Sequence, residues 1–207
     1  MAQHANPEHS GEAISILKVQ PHRPQGIAVF SAAIDVDGRI DPRYSADGEN
    51  FSPPLSWSPV SDAGAYALIV EDPDAPREHP FVHWMIWNIP GEVDRLPEGI
   101  PPKIHPISPQ GAVQGLNDRG ETGYMGPKPP PGHGLHHYHF QLFALDGPLD
   151  IQPDADLRTL VDAIKGRTIA SGEMVGTFKV AGDFDSPAST GSYGRPTDDE
   201  GDRKSVV

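Results

Sequence analysis

No cysteine occurs among the 207 residues. That excludes disulfides, thiolate zinc sites and a cysteine nucleophile. No apolar run approaches the roughly 20 residues that span a bilayer. No basic run occurs either: 16 lysines and arginines are scattered against 29 acids, for a formal net charge of -13. Nucleic acid and anionic membrane surfaces repel such a chain unless its cations gather in a compact patch. Any anion it binds must be held by a local site against the global field. The opening MAQHANPEHSGEA has neither the charged nor the apolar region of a signal peptide. A cytoplasmic protein without stable membrane insertion and without affinity for nucleic acid is the expectation.

Punctuation is abundant. The chain holds 22 glycines and 24 prolines, and only 36% of its residues are hydrophobic. Short apolar runs between many breakers favour a mainly β domain over a helical one. AYALIVE (65–71), FVHWMIWNI (81–89) and LHHYHFQLFALD (135–146) read as strands, with MVGTFKVAG (174–182) as the last. ILKV (16–19) and GIAVFSAAI (26–34) are weaker strand candidates. One helix is expected over 154–167, opened by Pro153 and Asp154 or Asp156, with Leu157, Leu160, Val161 and Ile164 on one face and Gly166 closing it. The folded unit is expected over 14–182, between an N-terminal arm (1–13) and an acidic tail (183–207) too poor in large apolar groups to order itself.

Candidate chemistry gathers in VEDPDAPREHPFVHW (70–84), where acids, prolines and histidines crowd one connection. A metal site, an acid/base pair and a rigid pocket rim all fit. Strict alternation places His83 beside Phe81, Met85 and Trp87, Asp72 in line with Leu68 and Val70, and His136 at the head of an apolar row. Taken singly, each has a plainer reading: core histidine, or aspartate in a turn before proline. The His137-x-His139 pair has no third ligand nearby, so solvated histidines are expected rather than a metal site. No G-x-S-x-G, H-E-x-x-H or phosphate-loop motif is present.

Three stretches in fixed order are more specific than any single residue. They are SPPLSW (52–57) with DPDAP (72–76), HW (83–84) and NIP (88–90); LPEG (96–99); and GYMGPKPPPGHGLHHYHFQLFALD (123–146). Over roughly 27–179 the chain resembles the phosphatidylethanolamine-binding protein family, in the style of its bacterial Raf kinase inhibitor-like branch. The resemblance implies a β-sandwich of two antiparallel sheets with a few peripheral helices. It also implies a small pocket at one end for phosphate-type anions and phospholipid headgroups. By the same resemblance the ligand-binding residues are Asp72, Asp74, Pro76, His83, Tyr124, Gly126, His136 and Tyr138. The histidines would donate to anionic oxygens, Gly126 would bring a backbone N–H close, and Asp72 would orient an imidazole or accept from an ammonium. His137 stands where the family carries arginine. Binding without catalysis, cofactor or metal follows by resemblance, with modulation of a kinase or protease and a homodimer as further expectations. The alternative is a metal- or histidine-dependent hydrolase of small phosphate esters.

Overall fold

The computed structural model describes residues 13–23 and 26–180. The expected tail, and all but the last residue of the expected arm, lie outside these limits. A central five-stranded antiparallel sheet has the order β6 (Val113–Gln114), β4 (Phe81–Pro90), β3 (Ala65–Asp72), β7 (His136–Leu145) and β8 (Thr168–Phe178). Against one face lies a three-stranded antiparallel sheet of β1 (Val29–Phe30), β2 (Leu55–Trp57) and β5 (Arg95–Leu96). The expected β-sandwich is the observed one.

Strand β3 is buried along its whole length, because both faces of the central sheet are covered. That is why it reads as an unbroken apolar run rather than an alternating one. Tyr66, Leu68 and Val70 join Trp84, Phe140 and Leu142 in the core between the sheets. Ala67 and Ile69 join Met85, Trp87 and Phe143 in a second core under α2 (Leu157–Ile164). Each large apolar side chain so enclosed contributes about 1.5–3 kcal/mol.

Helix α2 is shorter than the sequence pattern predicts. The Asp156 side chain accepts from Thr159 N at 2.8 Å and fixes its start, so Pro153 and Asp154 fall in the preceding turn. Gly166, at φ 74°, turns the chain away just past its end. Two of the weaker strand expectations change. Residues 16–19 do not form a strand: Ser15–Lys18 is one helical turn, α1, because Glu71 and Gln141 capture its leading N–H groups. Of 26–34, only Val29–Phe30 pairs as a strand. Strand β8 begins at Thr168, six residues before its expected start.

Candidate functional site

The site lies where β3, β4 and β7 end together. Register along β3 and β4 runs Val70 to Trp84 and then Glu71 to Val82, leaving His83 as the extra residue of a β-bulge. The bulge corrects the expectation from alternation. His83 shares a side with Phe81 and Tyr138, its ring 4.7 Å from the first and 5.0 Å from the second. Met85 and Trp87 fall in the core on the opposite face of the sheet. A bulge is where a strand re-aims one side chain, and here it turns an imidazole toward the end of the sandwich.

Asp72 is the hub. Its Oδ2 accepts from His136 Nδ1 at 2.8 Å and lies 4.0 Å from His83 Nε2, and its Oδ1 accepts from Asp74 N at 2.9 Å. His136 Nε2 meets His133 Nδ1 at 2.8 Å. With the His136 Nδ1 proton held by a carboxylate, His133 is the donor of that second bond. His83 Nδ1 lies 2.8 Å from the Met125 carbonyl, which only accepts, so Nδ1 carries the proton of neutral His83 and Nε2 is bare. His83 therefore gains a second donor only by protonation. Burial pushes His83 below its ordinary 6.5, opposed by the Met125 carbonyl and by the charge of Asp72.

These groups open into a cavity of about 270 Å³, lined by Asp72, His83 and His136 at its base. Its walls are apolar: Ala75, Pro76, Phe81, Met125, Pro129 and Pro130. Three cations stand among the lining residues. Arg77 donates to Asp118 at 2.8 Å and lies over the Phe81 ring, and Lys128 donates to Asp47 at 2.6 Å. Arg119, the third, makes no ion pair among the described residues.

Of the residues expected to bind ligand, Asp72, Pro76, His83 and His136 line this cavity. Tyr138 sits behind the two imidazoles, its hydroxyl near Asp72 but without a hydrogen-bond partner among the described residues, and burial pushes its phenol up strongly. The others serve the frame. Asp74 accepts from His137 N and holds its imidazole Nδ1 at 2.6 Å. Tyr124 donates to the Tyr44 carbonyl at 3.1 Å. Gly126 N–H donates to Asn50 Oδ1 at 2.7 Å, so it is not turned to the cavity as expected. His139 meets Glu173 rather than solvent alone. No group of three or more metal-ligating side chains occurs among the described residues.

Sequence reasoning missed Arg77, Arg119 and Lys128, since nothing in their local spacing marks a site. His133 was legible only within the Gly/Pro loop that carries it.

Because the unfolded chain protonates His83 at higher pH than the folded chain does, its contribution to stability is complete above about pH 6.5 and is lost as pH falls below that. The drop in melting temperature between pH 7.5 and pH 5.5 is expected to shrink in His83→Gln. Equal drops in variant and wild type would remove His83 from the pH response.

A two-sheet β-sandwich with paired imidazoles around an aspartate at one end is the architecture in hand. The profile described as phosphatidylethanolamine-binding protein matches residues 30–179, and the chain belongs to that family. A UPF0098 protein of Pyrococcus horikoshii is 44% identical over 141 residues, covering 68% of this chain and 70% of its own. One from Methanothermobacter thermautotrophicus is 44% identical over 143 residues, covering 69% and 91%. Among solved structures, YbcL of E. coli, a member of the same family, superposes with TM-score 0.70 at 29% identity over 75% of this chain and 99% of its own. The homolog CT736 of Chlamydia trachomatis gives 0.66 at 35% identity over 75% and 98%. No helix among the described residues is long and apolar enough to cross a membrane.

Proposed function

We propose that the chain is a non-catalytic binding protein whose pocket holds a small phosphate-type anion, free or as a lipid headgroup, and takes up a proton with it. The observation that carries this reading is the shared base of the cavity, where His83 and His136 flank Asp72 under a rim that holds Arg77, Arg119 and Lys128. A hydrogen bond from a protonated imidazole to an anionic oxygen is about twice as strong as one between neutral partners. At about 270 Å³ the cavity sits at the small end of ligand sites. Among the described residues it is lined by no serine, threonine or cysteine that would act as a nucleophile. Modulation of a kinase or protease, and a homodimer, extend this reading by family resemblance.

Calorimetric titration with sulfate, whose charge is constant across the range, and with inorganic phosphate tests it at pH 6 and pH 8. Sulfate affinity is expected to be roughly tenfold higher at pH 6, since one added charge-assisted hydrogen bond is worth that much. Binding is expected to be lost in His83→Ala and His136→Ala. A folded wild-type protein that binds neither anion at either pH sinks the reading. Turnover of p-nitrophenyl phosphate that vanishes in both variants would replace it with a hydrolase.

A further inference from the structure

The cavity's charge is one-sided, and that limits what its ligand can carry. Of the described residues that line it, Asp72 alone is acidic, and both its oxygens already accept hydrogen bonds, from His136 Nδ1 and from Asp74 N. A ligand ammonium would find there only that one carboxylate, 3% exposed and already shared by two donors. Against it stand three cations.

Those cations are not equivalent. Asp118 and Asp47 offset Arg77 and Lys128, whereas Arg119 has no acidic partner among the described residues. Its place is fixed by the backbone. Asn117, itself 4% exposed, accepts through Oδ1 from Arg119 N at 2.9 Å and donates through Nδ2 to the Gly123 carbonyl at 3.1 Å. The turn closes with Gly120 N donating to the Asn117 carbonyl at 2.8 Å, which sets Arg119 at its tip beside the mouth. The neighbouring Asp118 ties the same turn to the cavity wall by accepting from Arg77 and from Val82 N.

We infer that Arg119 makes the pocket selective for a phosphate monoester on an uncharged, apolar body and sets it against zwitterionic phosphoethanolamine. The inference rests on the anion-pocket reading above and names its ligand class. Arg119 supplies the charge that a dianionic phosphate needs beyond the imidazoles, and repels an ammonium two carbons away. The proline, phenylalanine and methionine walls receive the apolar body. The same monoester chemistry occurs in soluble alkyl phosphates and in the headgroup of phosphatidic acid. A net charge of -13 opposes an anionic bilayer, so the soluble form is assigned.

An isosteric pair tests this directly. n-Propyl phosphate and O-phosphorylethanolamine differ by a methyl in place of an ammonium. At pH 7 both phosphates are mostly dianionic, their second ionisation lying near pH 6 (about 6 for phosphate monoesters). Calorimetry on the full chain is expected to show n-propyl phosphate bound about tenfold more tightly. Arg119→Gln, at an exposed position, is expected to bring the two within about threefold by weakening the propyl ester. Arg39→Gln, which removes the same charge from a groove elsewhere, is expected to leave the ratio alone. Equal or tighter binding of phosphorylethanolamine overturns the selectivity, and an unchanged ratio in Arg119→Gln overturns the role of Arg119. Either result leaves inorganic phosphate binding intact, whereas loss of that binding in wild type would fail the pocket reading itself. Co-sedimentation with phosphatidylcholine vesicles containing phosphatidic acid, and not with phosphatidylcholine alone, would overturn the soluble assignment.

Discussion

Alanine at position 126 is expected to destabilise the protein by about 3–5 kcal/mol, a large part of the 5–15 kcal/mol that holds a typical domain together. A Cβ on Gly126 would stand 2.2 Å from the Tyr44 carbonyl oxygen, 2.5 Å from the Ser45 carbonyl carbon and 2.6 Å from Ala46 N. All three are backbone atoms, so no side chain can swing aside. The two segments are stitched together on either side of the contact. Ala46 N donates to the Pro127 carbonyl at 3.0 Å, Gly126 N to Asn50 Oδ1, and the Tyr124 hydroxyl to the Tyr44 carbonyl. Forcing them apart breaks those bonds together.

The same displacement reaches the pocket. Met125 N donates to the His83 carbonyl at 2.9 Å, and the Met125 carbonyl accepts from His83 Nδ1. Residue 126 therefore positions His83 through its neighbour. Gly38 supplies the control. Its φ is 81° and nothing among the described residues lies within 4 Å of a Cβ built there, so alanine meets conformational strain, worth roughly 1–2 kcal/mol. Urea unfolding of the two variants separates the effects. Similar losses at both positions would show that close backbone approach is not why residue 126 is glycine.

Gly126 also shows how far the sequence reaches. The family resemblance of the Gly/Pro loop marks it as a ligand-side residue, whereas its N–H is given to Asn50 and its contact with the 44–46 segment was not legible. The contact it relieves is with Tyr44, Ser45 and Ala46, far earlier in the chain, and nothing local encodes that. The sandwich itself was legible because strands β3, β4 and β7 carry β-branched and aromatic runs whose two faces fill two cores. Alternation held along β7, where Tyr138, Phe140, Leu142 and Ala144 share the inter-sheet core and His136, stacked on Tyr138, heads the same row at the cavity. It failed along β4, where a bulge at His83 changes the phase, because a bulge is set by pairing with a partner strand rather than by the strand's own residues. Arg119 and Lys128 were invisible for a related reason. They reach the cavity from separate loops, and only the fold brings those loops to one mouth.

The residue beside the hub has the opposite surroundings, and its removal is expected to be as costly. Asp72 faces the pocket, while Glu71, fully buried, faces the second core. Glu71 Oε2 accepts from Ser15 N and from Gln141 Nε2, each at 2.7 Å, and Gln141 Oε1 accepts from Ile16 N at 2.6 Å. This short chain of bonds fastens α1 to the sheet, where the adjoining Val19 packs into the core beneath. Glu71→Ala strands two buried donors at once and is expected to cost about 3–5 kcal/mol. Glu71→Gln keeps one acceptor oxygen, and Oε1 has no hydrogen-bond partner among the described residues to lose, so about 1 kcal/mol is expected there. Hydrogen exchange then locates the damage. Protection at Ser15–Lys18 is expected to fall in Glu71→Ala well before the central strands open, and to survive in Glu71→Gln. If α1 stays protected in the alanine variant, Glu71 is not what holds it. Since Glu71 and Asp72 are consecutive on β3, phosphate titration of the same variants shows whether loosening one face of the sheet disturbs the anion site on the other.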